Sequence, residues 1–207
     1  DGKRAFVIGL TPLVIGSGFI DAALLLLLRG LPRFFYRRTG TTVMGKSMMS
    51  SETSPCLSAS LTAEILSATR AKEIGTVSLV QALWSDMGHL LRVDLKGSAE
   101  DDTVIVKHVA YGRHGHHPRG WNTDVSLKRK VKSYQVENHW YREFAHRCPE
   151  AFCRVPRFIA ESNDAEHSTL ILEDLNEVGF PLRQQSLIEQ DLKNCLSWLA
   201  HFHGTFL

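Results

Sequence analysis

The stretch TVIVKHVA, Thr103 to Ala110, decides the fold. It is rich in valine and isoleucine and apolar on both faces except at Lys107 and His108, the signature of a strand. Its lysine is the anomaly. Burying an unpaired ammonium costs roughly several kcal/mol or moves its pKa, so Lys107 must reach either water or a partner. The bland outcome is an edge-strand lysine whose stem lies on apolar surface while its head stays wet.

Outward from this strand the pattern is regular. TVSLVQALW (76–84) is built of β-formers. LLRVDLK (90–96) alternates, with Leu91, Val93 and Leu95 on one face and Arg92, Asp94 and Lys96 on the other. SDMGH and GSAEDD join the three strands as turns, predicting an antiparallel meander. SLTAEILSATRAKEIG (60–75) predicts an amphipathic helix ending at Gly75. Downstream come a Gly- and His-rich loop (111–124), a helix over 125–147, and strands at VPRFIAES (155–162) and STLILED (168–174), which turn at Asn163-Asp164. A last helix spans 186–207. It opens on a Ser186/Glu189 capping box and carries a stripe of Ile188, Leu192, Cys195, Leu196, Leu199, Phe202 and Phe206. The expected class is α+β: a five-stranded antiparallel sheet with one helix inserted after the third strand, then a linker and a long helix.

The chain has 207 residues, 43% hydrophobic and 22% charged, an ordinary globular balance. Its net charge of +2 gives no electrostatic case for nucleic acid. Cys56, Cys148, Cys153 and Cys195 form no C-x-x-C pair and read as reduced thiols of a cytoplasmic protein. Residues 5–28 are nearly all apolar and long enough to span a bilayer, but Pro12, the GSG at 16–18 and Asp21 argue against a membrane anchor. Residues 1–50 form an apolar and low-complexity N-terminal extension; the preferred reading is that translation starts at Met44, Met48 or Met49 and that 1–43 are translated upstream sequence, the alternative being a membrane anchor. His114, His116 and His117 lack helical spacing and any nearby acid or thiol framework, so they read as a solvated loop rather than a metal site. The basic run LKRKVK (127–132) reads as a wet helix face.

Lys107 has a candidate partner. On a helix at 100° per residue, Tyr134, Trp140, Tyr141 and Phe144 fall within about 60° of Glu137, while Glu143 lies about 120° away. Glu137 therefore sits in the middle of an aromatic face, where a lone carboxylate is costly. A buried Lys on strand three and a buried Glu on the following helix need each other, and phosphoryl transfer uses such a pair to hold nucleotide phosphates.

VIVK on strand three, YQVENHWYREF on the helix, LILEDLNEVGFPL on strand five and LSWLAHFHGTFL on the last helix together resemble the aminoglycoside/choline/ecdysteroid-kinase-like phosphotransferases, which have a protein-kinase-like fold. The resemblance spans about residues 60–207. It implies a kinase-like N-lobe at 60–175, and a linker and first C-lobe helix at 176–207. It further implies that Lys107 contacts ATP phosphates and Glu137 pairs with it, that Leu172 guards the back of the adenine pocket, and that the Glu173 carbonyl and Leu175 amide bind the adenine edge. The turn at 84–90, with Ser85 and Gly88, would cover the phosphates. Two departures stand beside this. The turn has one glycine, and no H-G-D-x-x-x-x-N motif or later metal-binding Asp occurs in the 207 residues. The implied protein transfers the ATP γ-phosphate to a small hydroxyl acceptor with Mg²⁺ bound downstream, the present residues being inactive alone; the alternative is a nucleotide-binding pseudo-kinase or scaffold. On either reading, the adjacent acids Glu173 and Asp174 mark the exit from the sheet rather than a general acid/base pair.

Overall fold

The computed structural model describes residues 56–83, 87–112, 124–180 and 188–207. Helix α1 is Ala59–Thr69, capped by the Ser58 hydroxyl, which accepts from Leu61 N–H. It stops well short of Gly75. Arg70 adopts a left-handed conformation (φ 56°), and Lys72 N–H already donates to the Lys96 carbonyl. Sheet pairing therefore claims residues whose local propensity is helical, and Gly75 becomes a residue of strand β1 (Glu73–Ala82) facing Asp94.

β2 (Gly88–Lys96) and β3 (Thr103–Ala110) complete the meander. Helix α2 (Asp124–Glu143) ends four residues earlier than its sequence pattern predicts. The chain breaks at Phe144 into a 3-10 turn (Ala145–Arg147), and Pro149, which has no N–H to donate, caps the short helix α3 (Glu150–Cys153). β4 (Phe158–Asn163) and β5 (His167–Glu173) form a hairpin whose turn is tied by Asp164 Oδ1, accepting from the N–H groups of Glu166 and His167. Helix α4 is Glu189–Phe206.

The five strands form one antiparallel sheet in the order β1-β2-β3-β5-β4, as an α+β fold. β3 is therefore its middle strand. One face packs on α1 through Leu61, Ile65, Leu91, Val93, Val104 and Val106. Each such side chain fully buried contributes roughly 1.5–3 kcal/mol. The other face meets α2 in two clusters. Leu170, Leu172 and Ile105 pack on Tyr141, and Leu83, Met87 and Val109 pack on Tyr134.

α4 docks on the segment between α2 and β4. Phe202 joins Cys148 and Cys153 in a buried cluster flanked by Trp140, Trp198 and Phe206, and Trp198 Nε1–H donates to the Arg154 carbonyl at 3.0 Å. The stripe expected from sequence divides: Cys195 and Phe202 are buried, while Ile188, Leu192 and Leu196 are exposed. The capping pattern also differs. Glu189 is the first helical residue, and it is the Asp191 carboxylate that accepts from Ile188 N–H (3.4 Å); Ser186 lies outside the described residues.

Candidate functional site

Lys107 has Leu90 and Leu170 as its cross-strand partners. A central strand offers no edge from which a lysine can reach solvent, and only 2% of the side chain is exposed. The edge-strand reading is therefore wrong. Lys107 Nζ instead donates to Glu137 Oε2 at 2.5 Å, with the Glu137 side chain 8% exposed. α2 supplies Glu137 from the stripe that carries Tyr134 one turn before and Tyr141 one turn after, both buried. Tyr134 places its ring 4.8 Å from Lys107 Nζ, a cation–π contact. Burial first, then the Glu137 carboxylate and then Cys148, pushes the Tyr141 phenol well above its usual range.

The pair is not closed. Among the described residues, Glu137 Oε1 is buried without a hydrogen-bond partner, and an ammonium offers three donors of which Glu137 takes one. The remaining Lys107 donors can serve an acceptor, and Glu137 Oε1 can serve a donor.

Leu172 is buried on the same face, opposite Ile105 and Phe158. Beyond it the two acids separate. Glu173 accepts from Arg154 Nη2 at 2.6 Å and from Arg157 N–H at 3.0 Å. Asp174 accepts from Arg92 Nε (2.5 Å), Thr103 Oγ1 (3.1 Å) and Asn176 N–H (3.0 Å). Both carboxylates are buried, and each is bound to a different part of the chain. They are clamps that fix the linker, consistent with their reading as a non-catalytic exit. In the linker, Asp174 and Leu175 carbonyls accept from Glu177 and Phe180 N–H. Among the described residues nothing accepts from Leu175 N–H.

Burial alone would raise the Asp174 carboxyl, but the hydrogen bonds from Arg92, Asn176 and Thr103 outweigh it and hold it below the usual carboxylate range. The sign follows from linkage. A carboxyl with a lower pKa folded than unfolded stabilises the fold above about pH 4 and loses that contribution as pH falls through the folded value. Asp174→Asn should therefore lower stability at pH 7 and flatten the loss below about pH 4, as read by urea midpoints across that range. An unchanged slope would show that the clamp is unimportant.

Gly88 closes the 84–90 turn as the first residue of β2, pairs with Val109, and its carbonyl accepts from Leu83 N–H. A Cβ there would lie 2.0 Å from the His108 carbonyl oxygen, so the glycine serves the approach of β3. Ser85 lies outside the described residues, as do residues 5–28 and His114, His116 and His117. The basic run is not uniformly wet either: Lys128, Arg129 and Lys132 are exposed, but Lys130 is buried. Sequence reading missed Arg92 and Arg154, whose partners lie 82 and 19 residues away. For Arg92 the alternation of RVDL gave the face but no partner.

All four cysteines are free. Burial, then the adjacent Cys153, pushes the Cys148 thiol up to about 12, and burial followed by Asp191 raises Cys195. Thiols so shifted are poor nucleophiles. Among the described residues no helix is long and apolar enough to cross a membrane, and no group of three or more His, Cys, Asp or Glu is placed to hold a metal ion.

No protein-family model matches the sequence, and no curated protein matches it. Among solved structures it is similar to WbdD, described as a bifunctional kinase-methyltransferase, at 20% identity over 43% of this chain and 16% of that chain, with a TM-score of 0.26. The similarity to WbdD crystallised with a kinase inhibitor is 17% over 50% and 18%, again with a TM-score of 0.26. The chain thus spans less than a fifth of the WbdD chains it matches, and at this overlap neither fold nor activity follows from the likeness.

Proposed function

We propose that this chain is the ATP-binding portion of a small-molecule phosphotransferase, with a kinase-like N-lobe of the aminoglycoside/choline/ecdysteroid type at residues 60–175. The observation that carries the proposal is the buried Lys107–Glu137 pair between the middle strand and the helix that follows it. Isolating two charges from water is costly, and replacing such a pair by apolar residues is often neutral or stabilising. A buried pair in which the ammonium keeps donors beyond the one given to Glu137 supports a binding role for Lys107. Lys107 binds the ATP phosphates and Glu137 orients its ammonium. Leu172 closes the adenine pocket, while the Leu175 amide, which has no acceptor among the described residues, and the Glu173 carbonyl take the adenine edge. The Arg154 and Arg92 clamps hold that linker in place.

The acceptor is a small hydroxyl compound, and a cytoplasmic setting is consistent with four free thiols. The described residues do not form a Mg²⁺ site, so no step through the metal is assigned to them. The expected behaviour of the 207 residues is nucleotide binding without turnover.

Titration calorimetry with ATP tests this. Lys107→Ala should weaken binding by about tenfold to a hundredfold, the worth of a hydrogen bond to a charged group. Lys96→Ala, which removes an exposed lysine paired with Glu73, should change it less than about twofold. Equal effects would refute the assignment of Lys107.

A further inference from the structure

His89, His108 and His167 gather on the α1 face of the sheet, beyond its apolar core. His89 and His108 are cross-strand partners on β2 and β3, and His108 pairs in turn with Thr169 on β5. Residues two apart on a strand share a face, so His167 lies on that face too. Its ring stacks on His108, with centroids 5.4 Å apart and planes 15° from parallel. α1 joins the cluster through Glu64, whose carboxylate accepts from Ser162 Oγ (2.5 Å) and Thr169 Oγ1 (3.3 Å). Thr169 Oγ1 also lies 3.2 Å from His108 Nδ1. A threonine hydroxyl has one hydrogen, here given to Glu64, so His108 Nδ1 is the donor and Nε2 is the nitrogen left to take a proton. His167 Nδ1 lies 3.8 Å from Asp164.

We propose that the His108–His167 stack is an acid-sensitive latch on the end of the sheet where β3 meets β5. His108 and Lys107 are adjacent in a strand and so face opposite ways, and the latch does not depend on what Lys107 binds. With neutral rings the stack closes the rungs His108–Thr169, Val109–Ser168 and Ala110–His167. Protonation of both rings sets two like charges against each other, with His89 a third across the strand, and Glu64 and Asp164 offset only part of this. Burial first, then His167, holds the His108 imidazole below its usual range; Glu64 opposes this, His89 adds to it and Asp164 opposes it. A base with a lower pKa folded than unfolded takes up its proton first in the unfolded chain. The contribution of the stack is therefore whole above about pH 6.5 and is lost as pH falls from there towards the folded value. That window lies above the one in which Asp174 titrates, so the two effects separate.

Imidazole NMR titration of the full chain, with urea midpoints and amide exchange between about pH 7.5 and 5, tests this. His108 should titrate below the ordinary imidazole value of 6.5, and the urea midpoint should fall across the range. His108→Asn keeps a donor near the Nδ1 position and carries no charge, so most of that fall should disappear. His167→Gln, which removes the stacked ring and its charge, should flatten the slope as well and serves if the first variant does not fold. His146→Asn, an exposed histidine outside the cluster, should keep the wild-type slope. Relative to its intrinsic rate, the Tyr111 amide, which donates to the Glu166 carbonyl at this end, should exchange faster in acid than the Glu173 amide at the other end of β5. A His108 midpoint at or above 6.5, or the full wild-type slope in both cluster variants, overturns the latch. Acid-driven exchange that is equal at Tyr111 and Glu173 would show a global effect and overturn it too.

Discussion

Glu137→Ala is expected to cost the fold about 3–5 kcal/mol, because it leaves the Lys107 ammonium buried on the middle strand without its counter-charge. Neither neighbouring strand offers relief: the cross-strand residues are Leu90 and Leu170, both buried. Urea denaturation would read the loss as a lower midpoint with little change in slope. The companion double variant, Lys107→Met with Glu137→Leu, should recover most of it, since it removes both charges and fills a similar volume. That contrast separates a costly ion pair from ordinary packing. A Glu137→Ala variant within about 1 kcal/mol of wild type would mean that the Lys107 head reaches water. Lys107 would then be an ordinary solvated lysine rather than one held by Glu137.

Gly88→Ala should have an effect of similar size for a different reason. The added Cβ would lie 2.0 Å from the His108 carbonyl oxygen and 2.8 Å from Val109 Cα. Both are backbone atoms of the middle strand, so no side chain can rotate away. The β2–β3 ladder must open at its end, beside the site of Lys107. Overpacking of this kind costs about 1–3 kcal/mol and more when backbone is displaced, and about 3 kcal/mol is expected here. Gly204→Ala is the control. It lies in α4 with nothing within 4 Å of its added Cβ, and a helical Gly replaced by Ala gains up to about 1 kcal/mol. Equal stability for the two variants by thermal or urea unfolding would contradict the close approach at Gly88.

Strand β3 was legible to the residue, because Val and Ile on both faces between two polar turns leave no helical alternative. The Lys107–Glu137 contact was legible as well, since each residue alone was a cost and the two lay on adjoining elements. The end of α1 was not. The residues after Thr69 have helical propensity, and only the pairing of Lys72 with Lys96, distant in sequence, turns them into a strand. The close approach of β3 to Gly88 was not legible, because a glycine in a polar turn and a glycine demanded by a neighbouring backbone look alike in one sequence. Lys130 was masked by the basic run around it. Its spacing of seven from Glu137 was the available signal, as that spacing returns to the same helix face. The acids at 173 and 174 announced a change of environment, but their partners Arg92 and Arg154 approach through tertiary structure. Their role as linker clamps therefore emerged only from the fold.

The central claim, that Lys107 faces nucleotide phosphates, is tested most directly by chemical labelling. The full chain is treated with an acyl-phosphate derivative of ATP, which acylates lysines beside bound phosphates, and the labelled lysines are mapped by mass spectrometry with and without excess ATP. Lys107 should be labelled and strongly protected by ATP, whereas exposed Lys96 should show weak labelling that ATP does not change. Absence of label at Lys107, or labelling there that ATP leaves untouched, would contradict the account.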